Sequence, residues 1–316
     1  MKDVALREKG PKRKKIKNLK MKLALFSMMI PGAIYLIINN YIPMLGLQIA
    51  FKRFNYRDGV WGSPWTGFSN FTYLFKTKDA LIMTRNTILY NLVFIVLGTT
   101  FAVVIAIILN EIRSSKMKKL YQILFLIPYL ISMVVVSYIA FAFLSYDNGF
   151  INNSILKAVG GSGINWYTEP KYWPFILTIV YLWKNFGYQS IIYFATVIGI
   201  DSSLYEAAVI DGASSWQRIW HVTLPGLKTT IITLTLLSVG RIFYSDFALF
   251  YQVPQDSGIL SSVTQTIDVY VYKGLTQLND VGRSSAAGFY QSIVGFVMVL
   301  VANLIVRKVD SDSALF

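Results

Sequence analysis

Six long apolar segments, separated by polar and charged stretches, dominate the hydropathy pattern of the chain. An α-helix needs about 20 mostly apolar residues to cross the hydrocarbon core of a bilayer. Backbone groups at that depth meet no water, so they must be satisfied by the hydrogen bonds of the helix itself. The pattern therefore predicts an all-α, polytopic membrane protein with six transmembrane helices. The predicted spans cover about residues 23–38, 88–109, 120–144, 173–200, 229–251 and 286–306.

Composition supports this class and narrows the chemistry. Of the 316 residues, 54% are hydrophobic and only 15% are charged, against about 25% charged in soluble proteins. The chain has no cysteine and a single histidine, His221, which excludes disulfides, thiolate ligands and any multi-histidine metal cluster. We predict neither a catalytic residue nor a metal site.

The charge distribution predicts the orientation. The net charge is +14, and ten of the thirty lysines and arginines precede Leu23. A polybasic segment beside a span sets orientation and attracts anionic lipid, which accounts for the charge better than nucleic acid does. With the N-terminus inside, the cytoplasmic flanks carry 18 basic residues and the outer flanks 10. We expect both termini to be cytoplasmic, with a basic tail over 1–22, a transmembrane domain over 23–308 and a C-terminal tail over 309–316.

The predicted cytoplasmic loop 201–228, between spans 4 and 5, has strong local signals. Asp201 is a good N-cap for a helix over about 204–210, and Gly212 can adopt the left-handed conformation that ends a helix. A second short helix is expected over about 215–221, ending before Leu224-Pro225. The two helices would form a compact projection into the cytoplasm.

The same loop carries a spaced motif: Glu-Ala-Ala, three residues, Gly, nine residues, an aliphatic residue, one residue, Leu-Pro. It resembles the signature loop of permease subunits in binding-protein-dependent ABC importers, with Val222 where isoleucine is commoner. The alternative is an ordinary helix-turn-helix linker. The resemblance implies the type I ABC importer permease fold and a loop that docks on a cytoplasmic ATPase. The residues expected to make this coupling contact are Glu206, Ala207, Ala208, Asp211, Gly212, Ala213, Leu224 and Pro225.

A second motif narrows the branch. Tyr41-Ile-Pro43-Met44, continuing to Lys52 and followed by Trp61 and Ser63-Pro64-Trp65, is similar to the carbohydrate branch and most closely to the LplB-like permeases for complex saccharides. The alternative is a loop seated at the lipid interface. The resemblance implies a second, homologous permease subunit in a heterodimer, two cytoplasmic ATPase subunits, an extracellular solute-binding protein and a saccharide substrate, in a bacterial plasma membrane.

A phosphate-binding Gly-rich loop ending in Lys-Ser/Thr is missing from the sequence. The chain is therefore expected not to be an enzyme and to hold no cofactor, and ATP and Mg²⁺ are assigned to the partner ATPases.

Ionisable residues within the predicted spans are costly, so they are candidates for a substrate path. Lys184 and Arg241 fall near the midplane, and Asp246, further out, could pair with either. Their polar and aromatic neighbours are Asn185, Tyr188, Gln189, Tyr193, Tyr244 and Tyr251. Three interpretations stay open: a structural Lys/Arg–Asp network, a path for a neutral sugar, and a path for an acidic sugar.

The favoured function is import of an oligo- or polysaccharide by alternating access, driven by ATP on the partner subunits. A secondary transporter or channel with Lys184, Arg241 and Asp246 as a charge relay is the main alternative. A membrane scaffold that binds an ATPase and moves nothing is a third.

Overall fold

The computed structural model describes residues 19–309. Residues 1–18 of the predicted basic tail, and the predicted C-terminal tail beyond residue 309, lie outside the described residues. Helices make up almost all of the regular structure, and the described part contains no β-strand, only an isolated bridge between Lys52 and Trp65. The chain divides between Gln48 and Ile49 into two units.

The described part of the first unit, residues 19–48, is one helical segment, and its last turn continues past residue 48. It begins with α1 (Leu19–Leu36), widens into a π turn (Ile37–Tyr41) and continues through α2 (Ile42–Met44) into a 3₁₀ turn (Leu45–Phe51). Apolar side chains between Leu25 and Leu45 are exposed on this segment, as expected for a helix whose solvent is lipid.

The second unit contains all the remaining helices. Among them, α5 and α8 form the most extensive helix pair. Short 3₁₀ and π turns lie at Ile151–Leu156, Trp166–Thr168, Pro170–Tyr172, Ile219–Thr223 and Gly258–Leu260. The helices are α3 (Gly59–Gly62), α4 (Ser69–Lys76), α5 (Lys78–Glu111), α6 (Ser115–Leu130), α7 (Met133–Leu144), α8 (Trp173–Ile198), α9 (Ser202–Ile210), α10 (Ser215–Arg218), α11 (Leu224–Gly240), α12 (Phe247–Gln252), α13 (Ser261–Thr264), α14 (Ile267–Thr276) and α15 (Val281–Val309).

Four helical segments of the described residues are long and apolar enough to cross a membrane. They are Leu25–Phe51, Lys78–Glu111, Ser215–Gly240 and Val281–Lys308. Two bent pairs raise the number to six if each counts as one span: α6 with α7, at 93°, and the segment Pro170–Ile198 with α9, at 69°. The all-helical, multi-span prediction is confirmed.

Two of the predicted spans are not continuous helices. The predicted span 120–144 is broken between α6 and α7, where Ile131 and Ser132 are extended and Ser132 caps α7. The predicted span 229–251 ends as a helix at Gly240, and the chain runs through residues 241–246 before α12 begins. Hydropathy does not register these breaks, because the residues on both sides are equally apolar.

Three buried clusters hold the second unit together. One joins Phe94, Trp173 and Phe250 with neighbours on α5, α7, α8 and α12. Another packs Ala102 and Ala106 of α5 against Phe194 and Val197 of α8. A third joins α4, α5, α14 and α15. Each cluster includes residues of α5, so this helix lies at the centre of the packing.

Candidate functional site

The 201–228 connection forms two capped helices, largely as its sequence predicts. Asp201 Oδ1 accepts from the Ser203 N–H at 2.9 Å, and α9 begins at Ser202. These hydrogen bonds from Ser203 lower the pKa of the Asp201 carboxyl below its ordinary value. At the other end Gly212 has φ +76°. Its N–H donates to Val209 O at 3.0 Å, and the Ala213 N–H donates to Ala208 O at 2.9 Å, which is the Schellman pattern of helix termination.

The second helix of the connection differs from its prediction. It begins with a capping box between Ser214 and Gln217, but it does not end before Leu224-Pro225. Residues from Ser215 to Gly240 form one continuous helix of 26 residues, with a π turn at Ile219–Thr223. Proline has no N–H to donate, and the wider turn ends two residues before Pro225. The connection is therefore continuous with a membrane helix.

Side-chain contacts attach α9 and the end of α8 to this long helix. The hydroxyl groups of Tyr205 and Thr223 are 2.9 Å apart, and those of Thr196 and Thr230 are 3.2 Å apart. A Cβ at Gly226 would overlap the side chain of Ile200, so the backbone comes close there. Movement of α9 must therefore involve α11.

The outer face of the connection is exposed and partly apolar. Glu206, Ala207, Asp211, Gly212 and Pro225 are exposed, whereas Ala208, Ala213 and Leu224 are half-buried. Several large apolar side chains are also exposed, with Ile210 at 86%. The others are Leu204, Val209, Trp216 and Trp220.

A cavity of about 610 Å³ lies between α5, α8 and α11, within the usual range of ligand pockets. Its polar lining combines aromatic rings with hydroxyl, amide and guanidinium groups. These residues are Asn91, Thr99, Tyr181, Tyr188, Gln189, Tyr193, Ser238, Arg241 and Tyr244.

Five of the nine predicted path residues line this cavity, and four do not. The lining five are Tyr188, Gln189, Tyr193, Arg241 and Tyr244. Asn185 instead donates to Tyr181 O, one turn earlier on α8. Tyr251 lines a separate cavity of about 520 Å³ with Tyr138 and Phe141. The positions of Lys184 and Asp246 are described below.

Arg241 is the one charged residue among those that line the cavity. It is the C-cap of α11 and its side chain is exposed. Within residues 19–309 its guanidinium group has neither a hydrogen-bond partner nor an ion-pair partner. The planar fork of donors of an arginine matches the geometry of a carboxylate or phosphate group.

The possible pairing of Asp246 with Lys184 or Arg241 does not take the form of a direct ion pair, although the charges of Asp246 and Lys184 interact at longer range. No ion pair of the described residues includes any of the three. Asp246 is the N-cap of α12 and accepts from the Leu249 N–H at 3.2 Å. Lys184 donates to Pro128 O at 3.3 Å, Tyr129 O at 3.1 Å and Ile131 O. Both charges are bound by backbone groups that the two helix breaks expose.

The second break, residues 241–246, is held by side chains from three other helices. Asn91 Nδ2 on α5 donates to Ile242 O at 2.8 Å and to Tyr244 O at 3.1 Å. Gln291 on α15 donates to Phe243 O at 2.6 Å. Asp268 on α14 accepts from the Ser245 N–H at 2.7 Å. Irregular backbone at membrane depth is tolerated where it is buried in protein or lines a cavity, and this segment does both.

Sequence reasoning missed the contribution of α5. Asn91 and Thr99 line the cavity, and a Cβ at Gly98 would lie 3.1 Å from Gln189 Oε1. Asn91 and the pair Gly98-Thr99 are separated by about two helical turns in a mostly apolar, uncharged span. That spacing of small and polar residues could have indicated a helix face that lines a cavity. No group of three potential metal ligands occurs among the described residues.

A family described as "binding-protein-dependent transport system inner membrane component" matches residues 98–311. This range contains the 201–228 connection and most of the cavity lining. Two relatives are from Bacillus subtilis (strain 168). Protein LplB is 32% identical over 289 residues, which cover 91% of this chain and 90% of the relative. The polygalacturonan/rhamnogalacturonan transport system permease protein YteP is 32% identical over 305 residues, covering 95% and 94%.

Solved structures match over a similar length. A chain of a bacterial ABC transporter involved in the import of the acidic polysaccharide alginate superimposes with a TM-score of 0.85 and 30% identity, covering 93% of this chain and 98% of that one. A chain of the alginate transporter in complex with an alginate pentasaccharide-bound periplasmic protein gives 0.84 and 30%, covering 93% and 97%.

Proposed function

Because the chain belongs to the family of binding-protein-dependent transport system inner membrane components, we propose that it is one permease subunit of an ATP-driven saccharide importer. It receives an oligo- or polysaccharide from an extracellular binding protein and passes it inward by alternating access. The observation that carries the proposal is the likeness, over nearly the whole chain, to permeases whose stated cargoes are polygalacturonan, rhamnogalacturonan and alginate.

The 201–228 connection is the proposed ATPase-docking surface. Glu206 offers a carboxylate to a cationic group, Ala207 and Ala208 permit close approach, and Ile210 and Trp216 offer exposed apolar area. Each helix of the connection is capped internally, so it can be displaced without losing its own hydrogen bonds. A partner that buries these residues would also remove their apolar surface from water.

The continuous helix Ser215–Gly240 provides a path from this surface to the cavity. Its 26 residues span about 40 Å at 1.5 Å per residue. One end carries Trp216 and Trp220, and the other carries Ser238 and, as its C-cap, Arg241. Closure of the ATPases on ATP would displace the first end and so change the cavity wall at the second.

We assign the cavity to an acidic saccharide. Tyrosine rings offer stacking faces, and Asn91, Gln189 and Ser238 offer hydrogen bonds to hydroxyl groups. Arg241 has no ion-pair partner within residues 19–309, and the carboxylate of a uronic acid matches its planar fork of donors. Of the three interpretations left open by the sequence, only the path for an acidic sugar gives the charge of Arg241 a binding partner.

The remaining partners follow from this function. We propose a heterodimer with a second, homologous permease, two cytoplasmic ATPases that hold ATP and Mg²⁺, and the binding protein. The chain itself would hold no cofactor, and both its termini would face the cytoplasm of a bacterium.

Affinity purification from the native membrane, with a tag on the C-terminus, tests the assembly. Mass spectrometry should identify an ATPase, a second permease and a binding protein. A homogeneous oligomer of this chain, recovered without an ATPase, would contradict the proposal and favour the secondary-transporter alternative.

Glu206→Ala tests the coupling surface. We expect the purified complex to lose saccharide-stimulated ATP hydrolysis while its subunits still co-purify. Glu111→Ala, at the exposed C-terminal end of α5 and outside the connection, is a control for general loss of acidic charge. Full saccharide-stimulated ATP hydrolysis by the Glu206 variant would show that Glu206 is not needed for the coupling contact.

Arg241→Gln and Arg241→Lys test the cargo class. Uptake of trigalacturonate should fall by about tenfold or more in the glutamine variant, since a charge-assisted hydrogen bond contributes about 1.5–3 kcal/mol. The lysine variant should retain part of the uptake. Equal uptake of trigalacturonate by the wild type and the glutamine variant would argue against an acidic cargo at this residue.

A further inference from the structure

Three carbonyl oxygens at the end of α6 converge on the ammonium group of Lys184, which belongs to α8. They are those of Pro128, Tyr129 and Ile131. The last carbonyls of a helix lack donors within that helix, and their partial negative charge favours a cation. Lys184 thus supplies a donor to the Tyr129 and Ile131 carbonyls at the break, and a second donor to Pro128 O, which also accepts from the Ile131 N–H at 3.3 Å.

The same ammonium group is linked to the cavity through two aromatic rings. It lies 5.9 Å from the centroid of the Tyr129 ring. That ring stacks on Tyr188, with centroids 4.3 Å apart and planes inclined by 7°. Tyr188 follows Lys184 by four residues on α8 and lines the cavity. A short physical path therefore runs from the helix break to the cavity wall.

Close backbone packing restricts how the end of α6 can move. A Cβ at Gly187 would overlap the carbonyl oxygen of Phe125, so α6 and α8 are in backbone contact one turn before the break. Beyond this contact, the Lys184 hydrogen bonds and the Tyr129–Tyr188 stack hold the last turn of α6 against α8.

We propose that Lys184 is a positioning residue for the transported saccharide. By binding the three carbonyls it fixes the last turn of α6, and the Tyr129 ring then fixes the plane of Tyr188 at the cavity surface. The inference rests on the proposed function, because it assigns Tyr188 to the saccharide site. In this proposal Lys184 does not contact the cargo, because its ammonium group binds carbonyl groups of the protein.

A double-mutant cycle in the assembled importer tests this path. Trigalacturonate uptake is measured for Lys184→Met, Tyr188→Leu and the double variant, with the maximal rate expressed per co-purified complex. Each single change should raise the half-saturating concentration about tenfold, with a smaller effect on the maximal rate, since 1.4 kcal/mol corresponds to a factor of ten. The double variant should be no worse than the weaker-binding single variant, because both changes interrupt one path.

Lys184→Arg is the conservative variant, and we expect it to stay within about threefold of the wild type because it keeps the cationic donors. The inference is overturned if Lys184→Met leaves the half-saturating concentration unchanged, or if the two changes add to about a hundredfold. If Lys184→Met does not assemble, Tyr129→Leu replaces it in the cycle, since it interrupts the same path without uncapping α6.

A distance measurement separates failure of this inference from failure of the proposed cargo. Nitroxide labels at Ile123→Cys on α6 and Tyr138→Cys on α7 occupy exposed positions in a chain that has no cysteine of its own. In an importer with cysteine-free partner subunits, Lys184→Met should shift or broaden the distance distribution, and Lys184→Arg should preserve it. An unchanged distribution in Lys184→Met overturns the inference whatever the cargo proves to be. A wild type that does not transport trigalacturonate contradicts the assigned cargo alone.

Discussion

The caps of the 201–228 connection are hydrogen bonds between residues close in sequence, whereas the helices around the cavity are joined by hydrogen bonds between residues far apart in sequence. In the connection, each cap joins residues at most five apart, as in Gly212 to Val209 and Ser214 to Gln217. Around the cavity, Lys184, one helical turn before the lining residue Tyr188, reaches a carbonyl 53 residues away, and the lining residue Asn91 reaches one 153 residues away. The caps of the connection can therefore stay intact when it moves together with α11, whereas any displacement of the helices around the cavity changes the bonds that shape it. This difference suits a connection that is displaced by an ATPase and a cavity whose shape changes in response.

The largest expected effect is at the backbone contact beside the cavity wall. Gly187→Ala places a Cβ against Phe125 O, and separating α6 from α8 should cost on the order of 3 kcal/mol. We expect little assembled complex in the membrane, measured by co-purification of the ATPase. Gly288→Ala is the matched control, because a Cβ there has no neighbour within 4 Å. Normal assembly of both variants would show that the two helices are not held at this contact.

Asn91→Leu should have the next largest effect. It leaves the carbonyls of Ile242 and Tyr244 without their donor, at a cost on the order of 1–3 kcal/mol. We expect a lower unfolding midpoint of the purified complex and reduced transport. Asn185→Leu is the control, because the hydrogen bond that the Asn185 side chain makes among the described residues lies within its own helix. If both variants lose the same stability, the long-range bonds are not what holds the second break.

Local features of this structure could be predicted from the sequence, whereas the long-range contacts could not. The caps of α9 and α10 were predictable because Asp201, Gly212 and Ser214 act on neighbours a few positions away. Lys184 and Asp246 were recognised as unusual, but their partners are backbone groups exposed by helix breaks. Proline can kink a helix, but the chain breaks three residues after Pro128, where Lys184 supplies donors from another helix. A partner distant in sequence leaves no local pattern.

Gly212→Ala tests whether a change at the end of α9 affects the 201–228 connection alone. The φ of +76° should cost an alanine about 1 kcal/mol, although space is open around the Cβ. We expect reduced coupling of ATP hydrolysis to transport with an unchanged unfolding midpoint of the membrane domain. Gly199→Ala, without a positive φ, should behave as wild type. A large loss of assembly would contradict the local character of this connection.

The smallest expected effect is at the N-cap of α9. Hydrogen bonds from Ser203 lower the pKa of Asp201, so its contribution to stability is present above the ordinary carboxyl pKa and is lost as the pH falls through the lowered value. Asp201→Asn should therefore differ slightly from wild type at neutral pH and converge with it in acid. Coupled ATP hydrolysis measured against pH shows this, and a difference that grows in acid would contradict the assignment.

The most direct test of the central claim, an anion-selecting cavity at the end of the long helix, is the reactivity of a single cysteine at Ser238. This residue is exposed, lines the cavity and precedes Arg241 by three positions. In the assembled importer, modification of this chain by an anionic and by a cationic thiosulfonate of similar size is followed by mass spectrometry, with buried Ser190→Cys as the unreactive control. With each rate divided by the rate of the same reagent with free cysteine, we predict faster modification by the anionic reagent, and loss of that preference when Arg241→Gln is added. Equal relative rates for the two reagents, or a preference that survives the loss of Arg241, would contradict the account.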